Sequence, residues 1–381
     1  MPFSSLGLSA PLLQALADQQ YTEAYPIQKE AIPVILKGKD LLALAPTGSG
    51  KTASFVLPIL EMLQHRPPLR NRYIWALVLA PTRELAAQIE EVFKQLASKM
   101  AHRPKTLAVY GGVSINPQMI QMRGVEILVA TPGRLLDLVS NNALQLGEVE
   151  ILVLDEADKV LSLGFKEELD KIFALLPKRR QNLLFSATLD EEVEVVMGKM
   201  LHEPVSVEVK GEEGLAPESI TQVAYHVAPE RKGPLLRYLI HRGEWQQVLV
   251  FVSAGRTADN VAEKLRKNGI EAMAFHGQKS QGARTEALRR FKAGMVRVLV
   301  ATDLAARGID IQFLPVVINY ELPRSPKDYV HRIGRTGRAD AEGQAVSLIC
   351  PEDIPHFKVI QKKMGKRVPM IWTDELDLHG V

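Results

Sequence analysis

Short apolar runs alternate with helical patterns along the whole chain. The runs that predict buried strands are residues 41–44, 74–80, 106–110, 125–131, 151–155 and 182–186 in the first part, and 248–252, 272–275, 296–302, 316–320 and 345–349 in the second. This alternation is typical of parallel sheets that are covered by helices on both faces. The sequence therefore predicts an α/β protein with two mostly parallel sheets.

A weak internal repeat links the two parts. Residues 125–131 (VEILVAT) echo residues 296–302 (VRVLVAT), and the strand-to-helix stretch 77–92 has the same layout as 250–265. Two copies of one α/β domain explain this more simply than convergence of unrelated strands. We predict an N-terminal domain over residues 1–209, a polar linker over 210–218, a C-terminal domain over 219–365 and a short tail over 366–381.

Length indicates two domains, and the charge distribution is compatible with a nucleic-acid partner. The 381 residues are too many for one ordinary core. The formal net charge of +3 hides an asymmetry, because residues 1–230 hold 22 basic and 28 acidic side chains whereas residues 231–381 hold 25 and 16. A basic half favours a nucleic-acid partner, although a solvated basic face is the commoner reason for such a charge.

The single cysteine and the lack of long apolar runs favour an intracellular protein. Cys350 follows the apolar run 345–349 and is predicted to be a buried, unreactive thiol. One cysteine can form no disulfide within the chain, which suits a reducing compartment. The N-terminal sequence lacks the segments of a signal peptide, and no run approaches the roughly 20 apolar residues of a membrane span. We expect a cytoplasmic protein that does not enter a membrane.

A glycine-rich segment after the first predicted strand is the strongest chemical signal. It reads Ala45-Pro46-Thr47-Gly48-Ser49-Gly50-Lys51-Thr52 and is followed by an amphipathic run. A glycine-rich turn between a strand and a helix directs backbone N–H groups and the positive end of the helix dipole at one small volume, which suits phosphate. Lys51 would reach the terminal phosphates, and the Thr52 hydroxyl would hold Mg²⁺. This spacing predicts an ATP site with magnesium.

Two further segments complete a candidate site for hydrolysis. Asp155 and Glu156 follow a buried strand, where Asp155 can meet Mg²⁺ and Glu156 can orient and deprotonate a water for attack on the γ-phosphate. In the second half, Arg335 and Arg338 lie in a basic segment that could simply bind phosphate backbone. With an ATP site in the other domain they become candidate arginine fingers, which can contribute roughly 10³ to 10⁵ in rate.

Taken together, the motifs resemble those of DEAD-box ATP-dependent RNA helicases of superfamily two, in a bacterial type with a minimal C-terminal end. The resemblance runs from about residue 3 to about residue 363 and implies two tandem RecA-like domains. Besides the segments above it rests on Pro81-Thr82-Arg83-Glu84-Leu85-Ala86, Gly111-Gly112, Thr131-Pro132-Gly133-Arg134, Ser186-Ala187-Thr188, Phe251, Gln281 with Arg284, Ala301-Thr302-Asp303, Ala306-Arg307-Gly308-Ile309-Asp310 and His331 to Arg338.

The resemblance also implies a role for each matching residue. Gln28 would read adenine, Phe3 would stack on the base, Asp310 would accept a hydrogen bond from the ribose, and the loop residues Ala45, Thr47, Gly48, Ser49 and Gly50 would hold the phosphates. Ser186, Thr188 and His331 would couple hydrolysis to contact between the domains. The implied RNA contacts are Pro81, Thr82, Arg83, Gly111, Gly112, Thr131, Arg134, Arg284, Thr302 and Gly308.

Some positions depart from the family pattern. Gln20, Ala24 and Tyr25 stand where the family usually has Gly, Pro and Thr, and Ser162 stands where Asp is common. The Tyr25 phenol cannot reproduce the hydrogen bond of a threonine hydroxyl to the phosphate loop. We therefore expect either altered adenine specificity or altered coupling of that loop to the adenine motif, and only a small effect at Ser162.

The expected activity is an RNA-stimulated ATPase that unwinds short RNA duplexes, or remodels RNA–protein complexes, locally and without travelling along the strand. The implied partners are RNA with little sequence preference and, in addition, ribosome-assembly or RNA-degradation proteins, with the chain acting as a monomer. Two alternatives stay open from the residues alone. One is an ATP-dependent RNA clamp with slow turnover, and the other is a motor that acts on DNA.

Overall fold

The chain forms two compact units, Met1–Gly211 and Glu212–Val381. The computed structural model describes residues 2–46, 48–64, 66, 72–209, 220–306, 311, 314–337 and 343–378. The predicted linker over 210–218 lies outside these ranges. None of the helices within them is both long and apolar enough to cross a bilayer.

Unit 1 is built on a parallel sheet whose strands are β1 (Leu41–Leu44), β2 (Ala76–Leu79), β3 (Thr106–Val109), β4 (Ile127–Ala130), β5 (Ile151–Leu154), β6 (Gln181–Ser186) and β7 (Val205–Glu208). The seven strands lie in the order β3-β4-β2-β5-β6-β1-β7. Its helices are α1 (Ala10–Asp18), α2 (Pro26–Leu36), α3 (Lys51–Leu63), α4 (Arg83–Leu96), α5 (Ile115–Gln121), α6 (Pro132–Ser140), α7 (Ala157–Ser162), α8 (Lys166–Leu175) and α9 (Glu191–Met200).

Both faces of this sheet are buried. Along β2, for example, Ala76 and Val78 join one apolar cluster, while Leu77 and Leu79 join another on the opposite face. Successive strand residues point to opposite faces, so a sheet covered on both sides needs apolar residues at every position. The continuous apolar runs of the sequence follow from this requirement.

Unit 2 repeats the architecture with the strands β8 (Ile220–His226), β9 (Val248–Val252), β10 (Ala272–Phe275), β11 (Val298–Thr302), β12 (Val316–Asn319), β13 (Gly343–Ile349) and β14 (Met370–Trp372). These strands lie in the order β10-β11-β9-β12-β13-β8-β14. Its helices are α10 (Lys232–Arg242), α11 (Gly255–Lys267), α12 (Gln281–Lys292), α13 (Asp303–Ala306), α14 (Pro326–Ile333) and α15 (Ile354–Met364).

The two sheets have equivalent strand orders. The echoed segments form β4 and β11, each second from the same edge, and the matching strand-to-helix units are β2 with α4 and β9 with α11. The predicted fold class is confirmed, and the repeat detected in the sequence corresponds to equivalent positions in space. Cys350 is buried, as predicted.

The end of the chain differs from the expected tail over 366–381. Residues Met370–Trp372 pair with β8 as the edge strand β14, the place that β7 holds in unit 1. The Arg231 guanidinium donates to the carbonyl oxygens of Thr373 and Leu376 and so fixes the chain beyond the strand. The sequence does not indicate this strand, because three residues after a proline leave no apolar pattern long enough to detect.

Candidate active site

The glycine-rich loop of unit 1 follows β1 on the side of the sheet where the strands have their carboxyl ends. The Ala45 N–H donates to the carbonyl oxygen of Ser186 (3.0 Å), which ties the start of the loop to the end of β6. Gly48 and Gly50 have φ angles of +79° and +89°, a left-handed conformation that strains other residues. The helix α3 begins at Lys51, directly after the loop. Thr47 lies outside the described residues.

Lys51 is buried and folds back across this loop. Its Nζ donates to the carbonyl oxygen of Ala45 over 2.6 Å. Burial lowers the pKa of Lys51, and the nearby carboxylates of Asp155 and Glu156 oppose that shift. The ammonium group therefore lies between the loop and the acidic segment, where it can meet a phosphate.

Asp155 follows β5, at the same edge of the sheet as the loop. Its side chain is only 2% exposed, and its Oδ1 accepts a hydrogen bond from the Glu156 N–H (2.9 Å). Burial, together with the adjacent Glu156 carboxylate, raises the pKa of Asp155 to about 7, against the effect of Lys51. A buried carboxylate with so little compensation is a ready ligand for a cation.

Glu156 is held in an unusual backbone conformation at the start of α7. Its φ of +52° is left-handed, which is uncommon for a non-glycine residue and is concentrated at functional sites. Its Oε1 accepts from Lys159 Nζ over 2.6 Å, and both side chains are nearly buried. Its Oε2 is buried and has no hydrogen-bond partner among the described residues.

Ser186 and Thr188 connect the end of β6 to the acidic segment. Ser186 Oγ donates to the Thr188 carbonyl oxygen (2.7 Å), and the N–H of Asp158 donates to Ser186 Oγ (3.4 Å). Thr188 Oγ1 also donates to Asp158 Oδ2 (3.4 Å). The two hydroxyl residues thus contact the segment that carries Asp155 and Glu156.

These residues fit a magnesium–nucleotide complex. Glu156 Oε2 and Asp158 Oδ1 are buried acceptors that lack a donor within the described chain, so the pocket has spare negative charge. The described residues contain no group of three or more acidic, histidine or cysteine side chains arranged to hold a metal by themselves. Mg²⁺ commonly takes one or two carboxylates and completes its shell with phosphates and water. Asp155 and the Thr52 hydroxyl are the residues that would hold it.

Gln28 links the predicted adenine motif to the phosphate loop. Its side chain is fully buried, its Oε1 accepts from the Tyr25 N–H (2.9 Å), and its Nε2 donates to the Gly50 carbonyl oxygen (3.1 Å). The Tyr25 ring also reaches the loop, because its Cδ2 lies only 2.9 Å from where a Cβ on Gly50 would stand. Tyr25 thus contacts the loop through its ring and remains half exposed.

The predicted base-stacking residue Phe3 lies in the core of unit 1. It is 5% exposed, and its ring meets Tyr21 edge-on with centroids 6.3 Å apart. Tyr21 is more exposed than Phe3. Any base that stacks here must therefore meet the Phe3–Tyr21 pair at its open side.

The predicted RNA contacts of unit 1 follow three neighbouring strands, β3, β4 and β2. The Arg83 guanidinium packs over Gly112, where a Cβ would stand 2.2 Å from its Nη2. Arg134 Nη2 donates to the Val113 carbonyl oxygen (2.8 Å), and Thr82 caps α4 by accepting from the Leu85 N–H. The other predicted contacts here are Pro81, Gly111 and Thr131, at the ends of the same strands. The fold brings all of them to the carboxyl ends of these strands.

In unit 2, the segment that holds the predicted arginine fingers is organised by Arg332. This buried guanidinium makes a double ion pair with Asp303 (2.6 and 2.7 Å), donates to Asn319 Oδ1 and to the Glu321 carbonyl oxygen, and lies 4.9 Å from the centre of the Phe251 ring. His331 precedes it on α14.

Arg335 follows α14, and its Nη2 donates to the Ala306 carbonyl oxygen (3.4 Å). The predicted site residues Arg338, Asp310 and Gly308 lie outside the described residues.

In unit 2, a cavity of about 490 Å³ lies at the carboxyl ends of the strands. It is lined by Thr302, by Gly255 at the start of α11 and by the buried His276. Arg284 is buried as well, with its guanidinium 5.2 Å from the centre of the Phe275 ring. The predicted RNA residue Thr302 is thus open to a ligand, whereas Arg284 lies mostly beneath the surface.

Comparison with known proteins assigns the family. The model of the DEAD/DEAH box helicase domain matches residues 25–196, and that of the helicase conserved C-terminal domain matches residues 231–340. The ATP-dependent rRNA helicase Rrp3 of Botryotinia fuckeliana is 40% identical over 96% of this chain and 74% of its own length. The chain belongs to the DEAD-box family of ATP-dependent RNA helicases. The DEAD-box helicase CshA of Geobacillus kaustophilus is 38% identical over 98% of this chain and 79% of its own.

Solved structures of DEAD-box helicases share the fold. Dbp5 of Saccharomyces cerevisiae, bound to RNA and ADP BeF3, matches 98% of this DEAD-box helicase and 96% of that chain, with a TM-score of 0.85 and 30% identity. A DEAD-box protein of Methanococcus jannaschii is 35% identical over 97% of this chain and 99% of its own, with a TM-score of 0.55. The tandem RecA-like architecture expected from the motifs is confirmed.

Sequence reasoning on this DEAD-box helicase missed two charged residues with specific contacts. Lys159 pairs with Glu156, and Arg332 bonds at the ends of β11 and β12 and lies over Phe251 of β9. A signal for Lys159 was present, because a residue three positions after Glu156 on a helix lies beside it. The partners of Arg332 come from separate strands, so no local pattern identifies them.

Proposed function

We propose that this chain is an RNA-stimulated ATPase that unwinds short RNA duplexes or remodels RNA–protein complexes locally. The observation that supports this most is the buried set formed by Lys51, Asp155 and Glu156, at the carboxyl ends of β1 and β5. Ligands of open parallel sheets bind outside those ends. Family membership supplies RNA as the substrate class.

Hydrolysis would use residues of unit 1 in distinct roles. Bound magnesium would neutralise phosphate charge, with Thr52 and Asp155 as its protein ligands. Lys51 would leave the Ala45 carbonyl and contact the terminal phosphates. Glu156 would orient the attacking water and take its proton through Oε2, the oxygen that has no hydrogen-bond partner in the described part of the chain.

Coupling to RNA would come from closure of the two units. Arg335 and Arg338 of unit 2 would reach the γ-phosphate as arginine fingers, and His331, Ser186 and Thr188 would transmit the contact. ATP and RNA would each favour the closed arrangement, so each would raise the affinity for the other. Hydrolysis would remove that coupling and release the RNA.

The work done in each cycle would be small. Opening one base-pair step costs roughly 1.4 kcal/mol by the value for DNA. One closure event would therefore open a few base pairs and would not move the protein along a duplex. Contacts to phosphate and sugar give little sequence preference.

The biological setting is a further part of the proposal. The Botryotinia fuckeliana relative is named an rRNA helicase, which supports structured RNA, including that of ribosome assembly, as a target. Partner proteins in ribosome assembly or RNA degradation, a monomeric state and a cytoplasmic location stay predictions.

The first test is phosphate release by the purified full chain, with and without single-stranded RNA. We expect a clear increase on adding RNA, loss of activity in E156Q, and retention of ADP binding by that variant, because the substitution keeps the shape of the side chain. No increase with RNA would refute the proposal. Full activity in E156Q would instead favour the ATP-dependent RNA clamp, in which ATP turnover is too slow to matter.

The second test separates RNA from DNA. Matched RNA and DNA strands compete for the protein in the presence of a nonhydrolysable ATP analogue. We expect RNA to displace DNA at much lower concentration, since the 2′-hydroxyl is what distinguishes the two at a protein surface. Equal competition would favour a motor that also acts on DNA.

A further inference from the structure

The acidic segment contains a cation to which the proposed chemistry gives no role. Lys159 Nζ lies 2.6 Å from Glu156 Oε1, and the side chains are 11% and 10% exposed. The carboxylates of Asp155, Glu156 and Asp158 lie close together in this segment. Lys51 and Lys159 both act electrostatically on the Asp155 carboxylate. Lys51 already bonds to the Ala45 carbonyl and is the residue that would move to the phosphates.

We propose that Lys159 is a positioning residue for hydrolysis, which anchors Glu156 Oε1 so that Oε2 faces the attacking water. This inference rests on the proposed function, in which Glu156 acts on that water. The inference concerns Lys159 and not Glu156, so the proposed ATPase activity would still stand if the inference were wrong.

The geometry supports a positioning role in two ways. The terminal torsion of a glutamate side chain is broad and roughly two-fold, so a free carboxylate would exchange its two oxygens easily. One oxygen held by a buried ammonium at 2.6 Å removes that freedom. The other oxygen, Oε2, has no partner within the described residues and is the one left for a ligand.

The backbone strengthens the same arrangement. Glu156 is fixed in a left-handed conformation, and the Lys159 N–H donates to its carbonyl oxygen over 2.8 Å. Lys159 is therefore held both by the first turn of α7 and by its side chain. A displacement of about 1 Å in a reacting group can cost about 100-fold in rate. A contact that fixes the position of the Glu156 carboxylate can therefore change the rate of hydrolysis to that extent.

The variants K159M, K159R and K171M test the inference. Lys171 lies exposed on α8 of the same unit, so K171M makes the same chemical change away from the site. At saturating RNA we expect K159M to lower kcat by about 10-fold to 100-fold, with the KM for ATP and the Kd for a fluorescent ADP within about two-fold of the original chain. We expect K159R to recover most of the lost kcat and K171M to change nothing.

A merely structural ion pair would give a different result. If K159M weakened ADP binding as strongly as it lowered kcat, Lys159 would be holding the whole acidic segment, and the inference would be wrong. An unchanged kcat in K159M would also overturn it. If the unaltered chain showed no RNA-stimulated hydrolysis, the failure would lie with the proposed function.

The ion pair can also be measured without any turnover. In a thermal unfolding cycle of the unaltered chain, K159M, E156Q and the double variant, we expect K159M to lower the melting temperature clearly. The same substitution should lower it much less when E156Q is already present, because the carboxylate that pairs with Lys159 is then gone. Equal effects in both backgrounds would show that the two side chains do not interact, and would overturn the inference.

Discussion

Removal of the Arg332 guanidinium should selectively destabilise unit 2. In R332M, the Asp303 carboxylate loses a double ion pair, and both Asn319 Oδ1 and the Glu321 carbonyl oxygen lose a donor. Breaking a buried ion pair costs about 3–5 kcal/mol. Because the Asp303 side chain is 28% exposed and can be partly rehydrated, the lower end applies. Each acceptor left without a partner adds about 1 kcal/mol.

The expected loss is therefore about 5 kcal/mol of the free energy of unfolding of unit 2, a large part of a typical stability of about 5–15 kcal/mol. For a unit of this size, 1 kcal/mol corresponds to about 2–4 °C, which predicts a fall of about 10–20 °C in its melting temperature. R332K keeps the charge but loses the planar fork, so it should be intermediate.

Differential scanning calorimetry of the full chain measures this effect, with the transition of unit 1 as an internal reference. R289M is the matched control, because Arg289 forms an exposed ion pair with Glu286 on α12. It should leave both transitions where they are. A fall of less than about 3 °C in R332M, or an equal fall in R289M, would refute the account of Arg332 as the residue that joins these strand ends.

Three further predictions concern unit 1. G50A should abolish ADP binding, measured by fluorescence titration, because its Cβ would stand 2.5 Å from Gln28 Nε2 at a φ of +89°; normal binding would contradict the close packing there. G112A should weaken RNA binding several-fold in a filter assay but leave ADP binding unchanged, since its Cβ would displace the Arg83 guanidinium; unchanged RNA affinity would argue against Arg83 as a contact. Burial raises the pKa of Asp155 to about 7, so the folded chain binds this proton more tightly than the unfolded chain and loses stability as the pH rises from about 4 to 7. D155N should therefore melt higher than the original chain, by a margin that grows between pH 5 and pH 8, and a constant margin would contradict this.

The sequence predicts the central strands, and the places at their ends where the candidate site residues lie, because each has a local signature. Residues 151–154 are a continuous apolar run, and the acidic pair after it lies at the end of a strand whatever the rest of the fold. The strands at the β7 edge of unit 1 and beside the β14 edge of unit 2 are different. Val205–Glu208 alternates buried and exposed positions, and Ile220–His226 carries polar residues between apolar ones, so neither forms the uninterrupted run of a central strand.

Contacts between distant segments are the part that sequence could not supply. The resemblance predicts that Gln28 reads adenine, and in the fold both ends of its amide bond to protein groups, on Tyr25 and Gly50. Those contacts depend on the packing of α2 beside α3. The partners of Arg332 likewise depend on which strands become neighbours, which is a property of the whole sheet.

The short strand β14 covers part of the outer side of β8. Without Met370–Trp372, the seven-residue strand β8 would present a row of unpaired backbone groups at the edge of the sheet, which is a template for pairing with other chains. A three-residue strand covers part of that row and is itself too short to recruit a partner easily. Any truncation or fusion at this end of the protein should therefore keep the residues through Leu376, whose carbonyl Arg231 holds, if the product is to stay dispersed in solution.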